Sequence, residues 1–204
     1  MVDRDSVLVK YLNIPDLPKS IVTMLTEEGM KVAEELRVNR GKNTRNIVNP
    51  IPGSAPSIPA LDYGVIDPGS VGLRLLRQFL QKFIPYNVDA ITVLVFRNIN
   101  DEEFCECPPH TDNDREFSVN YVLRSGGKNV VTRFWRQYKD ISQTSFYLYD
   151  DVGEPEDVAI KEKAWHVFNP FLPHSIHDIE DIRIVLIIMP KCSLEQMLEL
   201  SNDL

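Results

Sequence analysis

Histidine and cysteine are scarce in this 204-residue sequence, with four of the first and three of the second. Cys105 and Cys107 stand too close for an easy disulfide, and Cys192 leaves an odd count. No disulfide framework is therefore expected, and a reducing, cytoplasmic setting is. A zinc half-site of the Cys-x-Cys type in "FCECPP" would need a second cysteine pair, which the sequence lacks. The opening stretch "MVDRDSVLVKYLNIPDLPKS" carries early charges and no long apolar run, so neither a signal peptide nor a membrane span is expected there. Basic residues are outnumbered 22 to 30, for a net charge of −8 and a pI near 5.0. That balance argues against broad adhesion to nucleic acid or to anionic membranes. Repeats and low-complexity tracts are also missing.

What is present suits one globular domain spanning residues 1–204, since 43% hydrophobic and 25% charged residues allow a sizeable core. Residues 41–69, rich in Pro, Gly, Asn and Ser, show no sustained period and read as a long connection or flap. Before it, "LPKSIVTMLTEEGMKVAEELRV" has helical spacing. After it, "SVGLRLLRQFLQKFI" places Val71, Leu75, Leu76, Phe79 and Phe83 on one apolar face. Residues 1–84 thus form a helical and loop part. The second part, 85–190, is a series of short runs rich in Val, Ile, Phe and Tyr: "DAITVLVF", "EFSVNYVLR", "KNVVTRFWRQ", "TSFYLYD", "AWHVFN", "HSIHDI" and "RIVLIIM". Seven or eight such strands predict a mainly β fold, a sandwich or jelly roll backed by helices. Residues 191–204 form a last short helix, with Ser193 and Gln196 at capping-box spacing.

The chemistry-bearing feature is "PPHTDNDREF". Side chains two apart on a strand project the same way, so His110 and Asp112 can share one ion but cannot close its coordination. The third ligand must come from His166, His174 or His177. His174 and His177 lie three apart and face opposite sides of a strand, so only one of them can join. His177, beside Asp178, reads as a surface or supporting residue, and His166, between Trp165 and Val167, as a packing residue. Arg183 enters a very apolar strand, where an unpaired guanidinium is costly and calls for a carboxylate or phosphate. Two histidines and one carboxylate on a β scaffold are the donor set of non-haem iron(II) sites. Residues 113–139 hold six bases against two acids, so the cavity rim is expected either to be a solvated strand face or to favour an anionic substrate.

The stretch "HTDNDREFSVNYVLRSGGKNVVTRFW", with "AWHVFNP", "HSI" and an Arg nine residues beyond His174, resembles the iron(II)- and 2-oxoglutarate-dependent oxygenases, and the prolyl-hydroxylase-type members among them. The likeness covers roughly residues 85–190. It implies a double-stranded β-helix (jelly-roll) core, with His110, Asp112 and His174 as metal ligands and catalytic centre. It also implies that Arg183 grips the far carboxylate of 2-oxoglutarate. The implied reaction is hydroxylation of a small-molecule or peptide substrate by dioxygen, with the 41–69 flap as a lid. One position departs from the pattern: Val185 stands where members often carry a hydroxyl, so Tyr121 or Thr92 is expected to complete the cosubstrate site. Two other readings fit the same residues. One is a cupin-like metal dioxygenase that does not use 2-oxoglutarate, and the other is a non-catalytic jelly-roll binding module.

Overall fold

The structure, a computed structural model, describes residues 7–38, 62–97, 105–112, 115–139 and 149–201. Among them, ten strands and three helices follow one another as β1 (Val9–Tyr11), α1 (Lys19–Val38), β2 (Asp62–Val65), α2 (Val71–Phe83), β3 (Val88–Arg97), β4 (Cys105–His110), β5 (Ser118–Arg124), β6 (Val131–Trp135), β7 (Pro155–Val158), β8 (Trp165–Phe168), β9 (His174–Ile179), β10 (Ile182–Pro190) and α3 (Leu194–Leu198). They form two antiparallel sheets. The larger runs β1-β8-β5-β10-β3-β2 and the smaller β4-β9-β6-β7. This is the mainly β, jelly-roll architecture expected, with helices on one side.

Strand parity explains how the larger sheet serves two purposes. Val119, Tyr121 and Leu123 of β5, Ile184, Leu186 and Ile188 of β10, and Val93 and Val95 of β3 join the core beneath the helices. Their alternating neighbours, Ser118, Asn120 and Val122, Arg183, Val185 and Ile187, and Leu94 and Phe96, turn towards the smaller sheet and line a cavity. Both faces are covered, which is why β5 and β10 are buried almost throughout.

The helical face is made by spacing. In α1, Ile21, Leu25, Gly29 and Ala33 recur every four residues and are buried. Gly29 permits the close approach: a Cβ there would stand 2.8 Å from Ile184 Cδ1. Ser70 caps α2 by accepting a hydrogen bond from the Leu73 N–H. The buried stripe of α2 is Gly72, Leu73, Leu76, Phe79 and Leu80. Val71 and Phe83, expected on that face, are exposed instead, because the stripe is rotated by one position towards Leu73 and Leu80. Each large side chain buried here contributes about 1.5–3 kcal/mol.

Three further expectations change. The connection at 41–69 ends in a strand, since Asp62–Val65 pairs with β3 from Asp62↔Arg97 to Val65↔Leu94, while 41–61 lies outside the described residues. The proposed lid therefore lies mostly outside them as well. "TSFYLYD" yields no strand in its described part, where Tyr149–Asp151 is a 3-10 turn. "CECPPH", not among the strand-like runs, is β4. At the other end, Ser193 and Gln196 form the expected capping box on α3.

Candidate metal centre and its cavity

His110 closes β4 and His174 opens β9, and the two are direct register partners in the antiparallel ladder. Pairing alone therefore brings two residues 64 positions apart into contact, with ring centroids 4.4 Å apart. Asp112 follows as the chain leaves β4, its backbone N–H donating to the Pro170 carbonyl at 2.9 Å. Asp112 Oδ1 then stands 3.9 Å from His110 Nε2, and Oδ2 stands 4.0 Å from His174 Nε2. One ligand atom from each of the three lies within 4.8 Å of the others.

The donor chemistry suits a divalent metal. His174 Nδ1 lies 2.9 Å from the Leu172 carbonyl, which only accepts, so Nδ1 carries the proton and Nε2 presents a lone pair to the cluster. Burial, followed by the neighbouring His110, pushes His174 down to about 3, so the ring is neutral at pH 7. Burial works against the Asp112 carboxylate, but His174, Arg115 and His110 outweigh it and hold it below the usual range. With His174 itself neutral, Arg115 still faces Asp112 as a cation, its Nη2 bonding Oδ2. Two imidazole nitrogens and one carboxylate oxygen fit an iron(II) site with open positions.

The cluster lines a cavity of about 180 Å³ between the sheets. Its walls are mostly apolar, with Leu94, Phe96, Val122, Phe134, Ile160 and Phe168 among them. Arg183 also lines it and is buried, at 4% exposure. Arg183 Nη1 donates to the Ser125 carbonyl at 3.0 Å, whereas Nε is buried without a hydrogen-bond partner. Burial pulls the guanidinium down to about 10, which leaves it charged at pH 7.

The remaining candidates separate by face. Tyr121 points away from the cavity into the helix-side core, packed on Trp165 at 4.9 Å, because it has the opposite strand parity to Asn120 and Val122. Thr92 has the cavity parity but sits opposite Ile187, beyond the lining residues. Neither completes a site beside Arg183. Val185 does line the cavity, as do Ser118 and Thr132, which the sequence left unassigned, and His166, expected only to pack. The strand that carries His166 is buried on both faces, which hides that its ring belongs to the cavity side. His177 is buried rather than superficial, with Nε2 2.5 Å from Ser175 Oγ and its ring clustered with those of Trp135 and Tyr149. It faces away from His174, as the three-residue spacing requires.

The basic stretch 113–139 is largely neutralised. Arg133 pairs with Asp157 at 2.6 Å, Arg136 with Glu156 at 2.5 Å and Lys139 with Asp151 at 2.8 Å, while Arg124 pairs with Asp181 and Arg115 with Asp112. The acids that answer these bases, Asp112, Asp151, Glu156, Asp157 and Asp181, all lie outside residues 113–139, so the local excess does not mark an anion-binding rim.

No family model and no curated protein matches the chain. Solved structures do. A Pseudomonas putida prolyl-4-hydroxylase superposes with a TM-score of 0.50 at 17% identity, over 90% of this chain and 92% of that one. A Trichoplax adhaerens prolyl hydroxylase, solved with a hypoxia-inducible-factor peptide fragment, gives 0.54 at 12% identity, over 98% and 89%. The chain has the fold of the iron(II)/2-oxoglutarate oxygenases. The epimerase SnoN, solved with Fe3+, α-ketoglutarate and nogalamycin RO, shares that oxygenase fold with a TM-score of 0.51 at 14% identity, over 91% and 78%. Among the described residues of this oxygenase fold, no helix is long and apolar enough to cross a membrane.

Proposed function

We propose that the protein is an iron(II)- and 2-oxoglutarate-dependent dioxygenase that hydroxylates a small-molecule or peptide substrate reaching into the cavity. One observation carries the reading: a cluster of two histidines and a carboxylate shares an apolar cavity with a buried guanidinium that has an unanswered N–H. His110, Asp112 and His174 would hold the metal, and Arg183 the far carboxylate of the cosubstrate. Bound together, iron(II) and 2-oxoglutarate supply oxidation of a C–H bond by dioxygen, coupled to decarboxylation of the oxo acid to succinate.

The chain's own residues prepare the site. The Leu172 carbonyl fixes the His174 tautomer, and Arg115 keeps Asp112 deprotonated. Arg183 offers a charge-assisted donor in a low-dielectric wall, where such a bond counts for more than at the surface. Leu94, Phe96, Phe134 and Phe168 keep water from the chamber. A cytoplasmic setting, in which iron(II) stays reduced, is part of the proposal. The test is succinate release from 2-oxoglutarate in the presence of iron(II), ascorbate and air, paired with stoichiometric manganese(II) binding measured by electron paramagnetic resonance. Metal binding without any 2-oxoglutarate turnover would refute the cosubstrate.

Val185 favours a second reading, since it lines the cavity at the position where the resemblance leads to the expectation of a hydroxyl partner for the cosubstrate. In that reading the metal centre is the same, and Arg183 holds the carboxylate of the substrate itself.

A further inference from the structure

Asn120 and His166 are direct partners across β5 and β8, and both side chains line the cavity. Both are more than nine-tenths buried, at 8% and 3% exposure. Asn120 Oδ1 accepts from Ser118 Oγ at 2.8 Å, which leaves the Nδ2 donor unused. His166 Nδ1 lies 3.2 Å from the Ala164 carbonyl and so carries the proton, which makes Nε2 an acceptor. That nitrogen has no hydrogen bond among the described residues. Burial drives His166 down to about 4, with Arg183 adding to the shift, so the acceptor form holds at pH 7. One donor and one acceptor thus stand side by side in an otherwise apolar wall.

We propose that Asn120 and His166 form a subsite for a hydroxyl group on the molecule that enters the cavity. A hydroxyl oxygen accepts from Asn120 Nδ2 while its own proton is donated to His166 Nε2. Facing side chains of an antiparallel pair stand about 5 Å apart, so one oxygen reaches both. A carboxylate satisfies only the Asn120 donor and meets the His166 lone pair unfavourably, whereas a hydrocarbon leaves both buried groups unanswered. The predicted ligand is therefore an alcohol with an apolar body. The inference rests on this cavity being the substrate chamber but not on the metal or on 2-oxoglutarate.

The experiment compares cyclohexanol with methylcyclohexane by ligand-observed nuclear magnetic resonance titration of the full, metal-free chain. Transfer out of water alone favours the hydrocarbon, so preference for the alcohol requires built hydrogen bonds. Wild type is expected to bind cyclohexanol at least tenfold more tightly than methylcyclohexane. In Asn120→Leu and His166→Phe the order should reverse while methylcyclohexane binding is retained, and that retention reports an intact cavity. Preference of the wild type for methylcyclohexane would overturn the proposal and leave the pair to a bridging water. Displacement of cyclohexanol by 2-oxoglutarate at equimolar concentration would also overturn it, because the pair would then belong to the cosubstrate. A negative succinate assay leaves these titrations unaffected, so the two readings fail separately.

Discussion

Replacing Arg183 with methionine should make the protein more stable and unable to hold 2-oxoglutarate. The guanidinium is buried at 4% exposure, has one hydrogen bond to Ser125 and leaves Nε unanswered. Its pKa falls from 12.5 to about 10 on folding. A base depressed in this way costs stability at every pH below about 10, and the cost fades only as pH rises beyond that. The difference corresponds to about 3 kcal/mol at pH 7. Methionine keeps much of the stem's volume but gives up the Ser125 bond, which is about 1 kcal/mol. The net expectation is a gain of about 1–2 kcal/mol, or a rise in Tm of roughly 2–8 °C for a chain of this length. Wild type has the opposite advantage with ligand: 2-oxoglutarate at 100 times its Kd adds about 2.7 kcal/mol, and the variant should gain none of it. Differential scanning calorimetry of both proteins, manganese-loaded and oxygen-free, with and without 2-oxoglutarate, measures both effects. A ligand-free variant less stable than wild type, or an equal 2-oxoglutarate shift in the two, would refute the reasoning.

His110→Ala, Asp112→Ala and His174→Ala should each abolish stoichiometric manganese(II) binding with the far-ultraviolet dichroism unchanged. His177→Ala should keep the metal while losing about 1–3 kcal/mol in urea unfolding, because it empties the contact between Ser175, Trp135 and Tyr149. Below pH 6.5 the unfolded chain takes up a proton that buried His166 refuses until about pH 4. Stability should therefore be complete above 6.5 and fall by about 3 kcal/mol by pH 4 from this residue alone. His166→Phe should flatten that slope in denaturant titrations at pH 7 and 5. Gly126 has φ +90°, and a Cβ there would stand 3.0 Å from Arg183 Cβ. Gly126→Ala should cost about 1–3 kcal/mol and weaken 2-oxoglutarate binding in calorimetry without changing metal affinity.

The strands legible in the sequence and those that were not divide along a physical line. β3, β5, β6, β8, β9 and β10, all read from their Val, Ile and Phe content, lie inside the sheets. The four that escaped, β1, β2, β4 and β7, are the edges of the two sheets. Edge strands are short, polar and tolerant of proline, as "CECPPH" and "PEDV" illustrate, so neither propensity nor alternation marks them. In the site, His110, Asp112, His174 and Arg183 stood out because each is an unusual residue in its local pattern. Tyr121 misled because β5 is buried on both faces, so no alternation reveals which side holds the cavity, whereas Thr92 of β3 has the cavity parity but lies beyond the lining residues. The pairing of Asn120 with His166 lies hidden in such runs, and only the register across β5 and β8 reveals it.

That His110 and His174 face each other across the β4–β9 ladder has a mechanical consequence. β4 is an edge strand whose pairing is interrupted twice, between Cys105 and Cys107 and again before His110. An ion held by both histidines would be a rivet through this interrupted seam of the smaller sheet, doing for β4 what a cross-strand disulfide does in an oxidised protein. Chelation would then loosen a structural joint as well as silence a reaction. The supply of metal to such a protein would set how much of it survives as well as how fast it works.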